Sequence, residues 1–133
     1  MFLVDSNVLL DIVTVDADWF SWSQAALADA LLTGPVQINP LVYAETSIAY
    51  KQPDELDAVL ARLRIRRLDL PWEAAHIAGQ VFLRYRRQGG SKTSPLPDFY
   101  IGAHAHVAGL RLLTRDARRY RTYFPKVELL APQ

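Results

Sequence analysis

Residues Phe2-Leu3-Val4 form a strand-length run with no polar alternation, and short, mostly apolar runs recur at 36–38, 110–113 and 127–130. Strands of this kind are covered on both faces, the condition met in a parallel sheet wrapped by helices. Arg66-Arg67-Leu68-Asp69-Leu70 is expected as a further strand. The segments between the strands read as helices. Ser6 or Asn7 caps a short one through Val13, and Asp16 or Asp18 starts a second that Gly34-Pro35 stops. Asn39-Pro40, a cap followed by proline at the first helical position, opens a helix through Tyr50. Further helices are expected over Pro53–Leu63, Pro71–Arg87 and Pro97–Ala108, with a short one after Asp116. The loop Gly89–Pro97, rich in glycine, serine and proline, is expected to be the most mobile segment. Strands alternating with helices give an α/β fold, whose functional crevice lies beyond the carboxyl ends of the strands.

The 133 residues are expected to form a single domain, 1–133, long enough to bury about two thirds of the unfolded surface. No apolar run approaches the ~20 residues that span a bilayer, and the N-terminus lacks the pattern of a signal peptide. There are no cysteines, which excludes disulfides, thiolate metal sites and a cysteine nucleophile. A cytoplasmic protein with no membrane partner is expected. Net charge is only +1 but unevenly spread. Residues 1–61 hold nine acidic side chains and one basic one, whereas residues 62–133 hold five acidic and fourteen basic, nearly all arginine. Arginine clusters in one half of a small chain favour a polyanionic partner over a merely solvated surface.

Four carboxylates stand where the chain would be simpler without them. Asp5 ends the first strand, at the edge where such sheets bind ligands. Glu45 falls, at about 100° per residue, among Leu41, Val42, Ala44, Ile48 and Ala49 on what reads as a core-facing stripe, where an unpaired charge costs several kcal/mol. Asp98 opens the helix Pro97–Ala108, whose body 99–110 has no charged residue and so reads as central. Asp116 follows the strand Leu110–Leu113. Taken singly, Asp5, Asp98 and Asp116 could be cap or turn residues and Glu45 the partner of a nearby arginine. Together they would crowd one edge of the sheet, and a hard divalent cation resolves that repulsion with oxygen ligands. Mg²⁺ or Mn²⁺ held there can activate water and stabilise a phosphoryl oxygen.

Other chemistries have less support. His104 and His106 diverge on their helix and His76 is isolated, so all three read as structural. No glycine-rich phosphate loop or Ser-His-Asp motif is present. Trp19, Trp22 and Trp72 read as packing anchors near helix starts.

The stretches VDSNVLLD, YAE, PDFYIGAHA and LLTRDARRYRTYFPKVELLAP, in this order, resemble the PIN-domain ribonucleases and specifically the VapC toxins of toxin–antitoxin pairs. The resemblance runs essentially the whole chain, with 53–94 carrying no motif. It implies a three-layer α/β/α sandwich with a central, mainly parallel sheet. It further implies Mg²⁺- or Mn²⁺-dependent hydrolysis of RNA phosphodiesters, in transfer or ribosomal RNA loops, by the toxin of a type II pair. A homodimer and a cognate VapB-type antitoxin are implied as partners. By position, Asp5, Glu45, Asp98 and Asp116 match the family's acidic metal-binding residues, and Asn7 and Thr114 its polar helpers. Asp11 reads as a supporting residue. Arg84, Arg86, Arg87, Arg115 and Arg118 are candidate RNA contacts. The alternatives are a catalytically silent PIN-type module that binds RNA or protein, and a receiver-type phospho-acceptor domain. The latter lacks a mid-chain acceptor aspartate and a late strand-end lysine.

Overall fold

The computed structural model describes all of residues 1–133. Five strands, β1 (Phe2–Val4), β2 (Val36–Ile38), β3 (Ile65–Arg67), β4 (Arg111–Leu113) and β5 (Leu129–Leu130), pair in the order β3-β2-β1-β4-β5, all parallel. Seven helices flank them: α1 (Ser6–Val13), α2 (Phe20–Thr33), α3 (Pro40–Thr46), α4 (Pro53–Arg62), α5 (Trp72–Arg87), α6 (Pro97–Ala108) and α7 (Arg118–Tyr123). The expected α/β/α sandwich is the observed one. No helix is long and apolar enough to cross a membrane.

β1 is central and its three residues are fully covered, which is why no polar alternation survives in it. Leu3 lies level with Leu112 and Val4 with Leu113, so the next residues of β1 and β4, Asp5 and Thr114, emerge side by side at the carboxyl edge. The Asp5 N–H still bonds to Leu113 O at 2.8 Å and the Thr114 N–H to Leu130 O at 3.1 Å, so both residues are held by the sheet. Asn39, just past β2, completes this edge. Its Oδ1 accepts from Val42 N–H and caps α3, with Pro40 in the first turn as expected. Its Nδ2 meets His104 Nδ1 at 3.1 Å, giving His104 its structural role inside α6. His76 and His106 lie on the surface.

α6 is the helix with almost no polar face. Phe99 and Ile101 through Ala105 are buried, and it packs against α5, α7, α3 and β4. Gly102 lets Phe124 come close: a Cβ there would stand 2.3 Å from the Phe124 ring. Gly109 ends α6 at φ 65°, the left-handed conformation that glycine adopts without penalty.

The structure corrects several local expectations. Asp5, not Ser6 or Asn7, caps α1. α2 begins at Phe20, because the Asp16 carboxylate accepts from the Asp18 and Trp19 N–H groups in a turn before it. α3 stops at Thr46 and a 3₁₀ turn carries Ser47–Ala49. β3 is shifted toward the N-terminus to Ile65–Arg67, since Arg64 at φ 59° turns the chain directly into Ile65, which pairs with Val36. Trp19 and Trp22 pack edge to face at 6.2 Å, but Trp72 is 91% exposed and anchors nothing. Only the first residues of the loop before α6 are held by α5: Arg86 donates to the carbonyls of Gly90 and Lys92, and Tyr85 Oη accepts from the Lys92 N–H.

Candidate active site

At the carboxyl edge Asp5 is 4% exposed and nearly every lone pair it has is addressed. Oδ1 accepts from the Ser6 N–H at 2.8 Å. Oδ2 accepts from Thr114 Oγ1 at 2.9 Å and Tyr120 Oη at 2.8 Å, with Asn7 Nδ2 at 3.4 Å. Burial pushes its carboxyl up from 3.8 to about 6 and Asp98 adds repulsion, against the pull of these donors. Tyr120 is itself buried, and burial followed by the charges of Asp5 and Asp98 holds its phenol well above the ordinary range. It therefore remains a donor.

Ser6 links a second carboxylate to the first. Its N–H serves Asp5 while its Oγ donates to Glu45 Oε1 at 3.0 Å. Partial burial raises the Glu45 carboxyl, Ser6 offsets part of that, and Asp98 raises it further. Asp98, at the start of α6, is thus felt by both Asp5 and Glu45. Its Oδ2 accepts from Arg119 Nη1 at 3.1 Å. Asp116 is exposed, and its backbone N–H donates to Thr114 Oγ1 at 3.2 Å. It shares with Asp98 a cavity of about 420 Å³ also lined by Tyr85, Arg118, Arg119, Thr122 and Tyr123.

Glu45 reaches this edge for a reason other than the expected one. The stripe of Leu41, Val42, Ala44, Ile48 and Ala49 does not exist: Val42 and Thr46 are the buried residues of α3, while Ala44, Ala49 and Ile48, the last 79% exposed, face out. Thr46 hides its hydroxyl by donating to Val42 O. Glu45 is half-buried beside that face and points to Ser6.

The polar helpers bind one another. Asn7 Nδ2 donates to Thr114 Oγ1 at 3.3 Å, and Asn7 Oδ1 accepts from the Arg115 N–H at 3.2 Å. Arg115 places its guanidinium against Asp11, Nε to Oδ2 at 2.8 Å and Nη2 to Oδ1 at 3.1 Å, with Ser23 Oγ adding a third bond to the buried Asp11. Arg115 thereby braces the 114–116 turn against α1. Arg86 is similarly occupied with the loop carbonyls, and Arg84 lies over the Tyr123 ring at 5.5 Å. Arg87 and Arg118 are exposed. Ser6, Tyr120 and Arg119 are site residues that sequence reasoning missed. The sole signal for Tyr120 was an aromatic residue set among arginines in RRYR.

The donor chemistry suits a hard divalent ion, since every candidate ligand is oxygen and Asp98 repels both Asp5 and Glu45. As the side chains stand, no three acidic or histidine groups are arranged to chelate one ion. The expectation that all four carboxylates gather tightly is not met: Ser6 joins Asp5 to Glu45, Asp98 shares its cavity with Asp116, and Arg119 meets part of the negative charge.

The fold recurs in solved structures at low identity. VapBC2 of Rickettsia felis, bound to a DNA fragment from its promoter, superposes at TM-score 0.71 with 17% identity, over 99% of this chain and 98% of that one. FitAcB of Neisseria gonorrhoeae does so at 0.66 with 21% identity, over 98% and 96%. VapC20 of Mycobacterium tuberculosis, a sarcin-ricin loop cleaving toxin, does so at 0.56 with 16% identity, over 84% and 85%. No curated protein matches the sequence. The PIN domain as a family matches residues 2–125. That span takes in β1 and its terminal Asp5 together with α7 and its Tyr120, and the chain belongs to the PIN domain family.

Proposed function

We propose that the chain is a metal-dependent endoribonuclease acting as the toxin of a type II toxin–antitoxin pair. Asp5, Glu45 and Asp98 would hold Mg²⁺ or Mn²⁺, with Asp116 at the mouth. The observation that carries this is the Ser6 link between Asp5, just past β1, and Glu45 of α3 at the carboxyl edge of a PIN-domain sheet, with the charge of Asp98 felt by both. The ion, when bound, supplies Lewis-acid activation of water and of the phosphoryl oxygen. The chain's own residues do the rest. Ser6, Thr114 and Tyr120 fix Asp5 on the rigid end of β1, and Ser6 orients Glu45. Asn7 and the Arg115–Asp11 brace hold the 114–116 turn against them. Arg118 lies in the cavity where a backbone phosphate would enter.

Transfer or ribosomal RNA loops are the substrate class inferred, since an unpaired strand can bring a phosphate into an acid-lined cavity. The likeness to VapBC2 and to a toxin–antitoxin complex of Klebsiella pneumoniae supports a VapB-type antitoxin as partner; a homodimer and a cytoplasmic setting belong to the same reading. Asp5→Asn or Asp98→Asn is expected to abolish RNA cleavage and growth arrest while the circular dichroism spectrum is unchanged. Full activity in either purified variant would sink the assignment. One observation favours a second reading, a silent RNA- or protein-binding module: no three ligands are in chelating array. Calorimetry separates the two, because millimolar Mn²⁺ should bind and raise the Tm of the enzyme and do neither for the silent module.

A further inference from the structure

The proposed metal site, on which this inference rests, depends on a carboxylate that already has a cation. We propose that Arg119 is a displaceable counter-ion for Asp98, which a divalent cation must evict, so that Arg119 sets the metal affinity of the free protein.

The geometry is specific. Tyr120 Oη bonds to Asp5 and is buried, so the start of α7 is fixed against the end of β1. The preceding residue, Arg119, is thereby aimed at Asp98 on the start of α6, and the two side chains meet at 3.1 Å. Adjacent residues of one short helix thus supply a neutral donor to one carboxylate and a positive charge to another. Their environments differ. Tyr120 cannot leave without stranding a buried oxygen, whereas Arg119 and Asp98 are 42% and 34% exposed. An ion pair so open to water contributes little stability and exchanges readily.

A released guanidinium would also have somewhere to go. Arg119 lines the 420 Å³ cavity with Arg118 and Thr122, and its guanidinium carbon lies 6.0 Å from the Phe99 ring centroid. The Arg115–Asp11 pair makes the contrast: its carboxylate is buried and takes bonds from two side chains, so it has no such freedom. Of the arginines near the site, Arg119 alone pairs with a carboxylate proposed to bind metal.

The test titrates Mn²⁺ by isothermal calorimetry into chelator-stripped protein and into Arg119→Gln, Arg118→Gln and Asp98→Asn. Arg119→Gln is expected to bind Mn²⁺ about fivefold more tightly than the parent, the scale of one exposed ion pair. Arg118→Gln removes the same charge from the same cavity without breaking the pair, and is expected to change affinity less than about twofold. If Arg119→Gln merely matches Arg118→Gln, or binds more weakly than the parent, the counter-ion role is overturned while the metal site stands. If the parent binds no Mn²⁺, or Asp98→Asn binds as the parent does, both the role and the metal reading fall.

Discussion

Asp5 reconciles two demands that pull its proton in opposite directions. Burial favours the neutral acid, while Tyr120, Thr114 and the Ser6 N–H favour the carboxylate, and burial wins by enough to place its titration at about 6. The unfolded chain would titrate near 3.8, so the native state binds this proton more tightly. Unfolding between those values releases a proton, and stability falls as pH rises. The contribution is fully present below about 3.8 and lost once pH passes about 6. In chelator-treated protein, denaturant unfolding should show the parent losing on the order of 3 kcal/mol relative to Asp5→Asn across that window. A pH-independent gap would remove Asp5 as the strained carboxylate. This residue was legible because an apolar strand ended on an acid. Glu45 was selected by extrapolating helical periodicity through Ile48 and Ala49, which belong to a 3₁₀ turn and face water. What places Glu45 is Ser6, 39 residues away. A hydrogen bond across that separation leaves no trace in a periodic pattern.

Among the elements, α6 shows how closely the site depends on backbone packing. Gly102 faces the buried Phe124 so tightly that an added methyl would fall 2.3 Å from the ring, whereas a Cβ at Gly79 in α5 meets nothing within 4 Å. Both are helical glycines, so alanine gains about 0.5–1 kcal/mol of propensity at either. At Gly79 that gain should appear as a higher Tm. At Gly102 overpacking of about 1–3 kcal/mol should outweigh it, and the shift it forces on α6 should also reduce cleavage, since Asp98 begins that helix. Thermal melts of the two variants read the sign directly. Element identity was largely legible: the proline and glycine boundaries of α3, α4 and α6 fell where backbone chemistry requires them. β3 was displaced because Arg66–Leu70 looks strand-like by composition. The turn that sets its true start is a non-glycine residue at positive φ, Arg64, and composition does not reveal that.

At the scale of the molecule, the charge imbalance along the chain becomes an imbalance across the sheet. The acidic half builds β1, β2 and α1–α4, and the basic half supplies α5–α7, β4 and β5, together with β3 at the opposite edge. Asp5 sits where β1 meets β4, so the acid pocket borders the basic side. Of the arginines there, Arg115 is held by Asp11, Arg119 by Asp98, Arg86 by two loop carbonyls and Arg84 lies over Tyr123, while Arg87 and Arg118 are exposed and make no side-chain hydrogen bond. Each phosphate contact to single-stranded RNA contributes about 0.7 to the slope of log affinity against log salt. In an Asp5→Asn background, expected to be inactive, Arg87→Gln with Arg118→Gln should therefore reduce that slope by about 1.4 for a single-stranded RNA probe read by anisotropy. Arg86→Gln should lower the slope less than either of those substitutions, because one of its guanidinium nitrogens is already donated to the carbonyls of Gly90 and Lys92. A double variant with an unaltered slope would put the RNA on a different face of the molecule, and the cavity beside Asp98 and Asp116 could then no longer be its entrance.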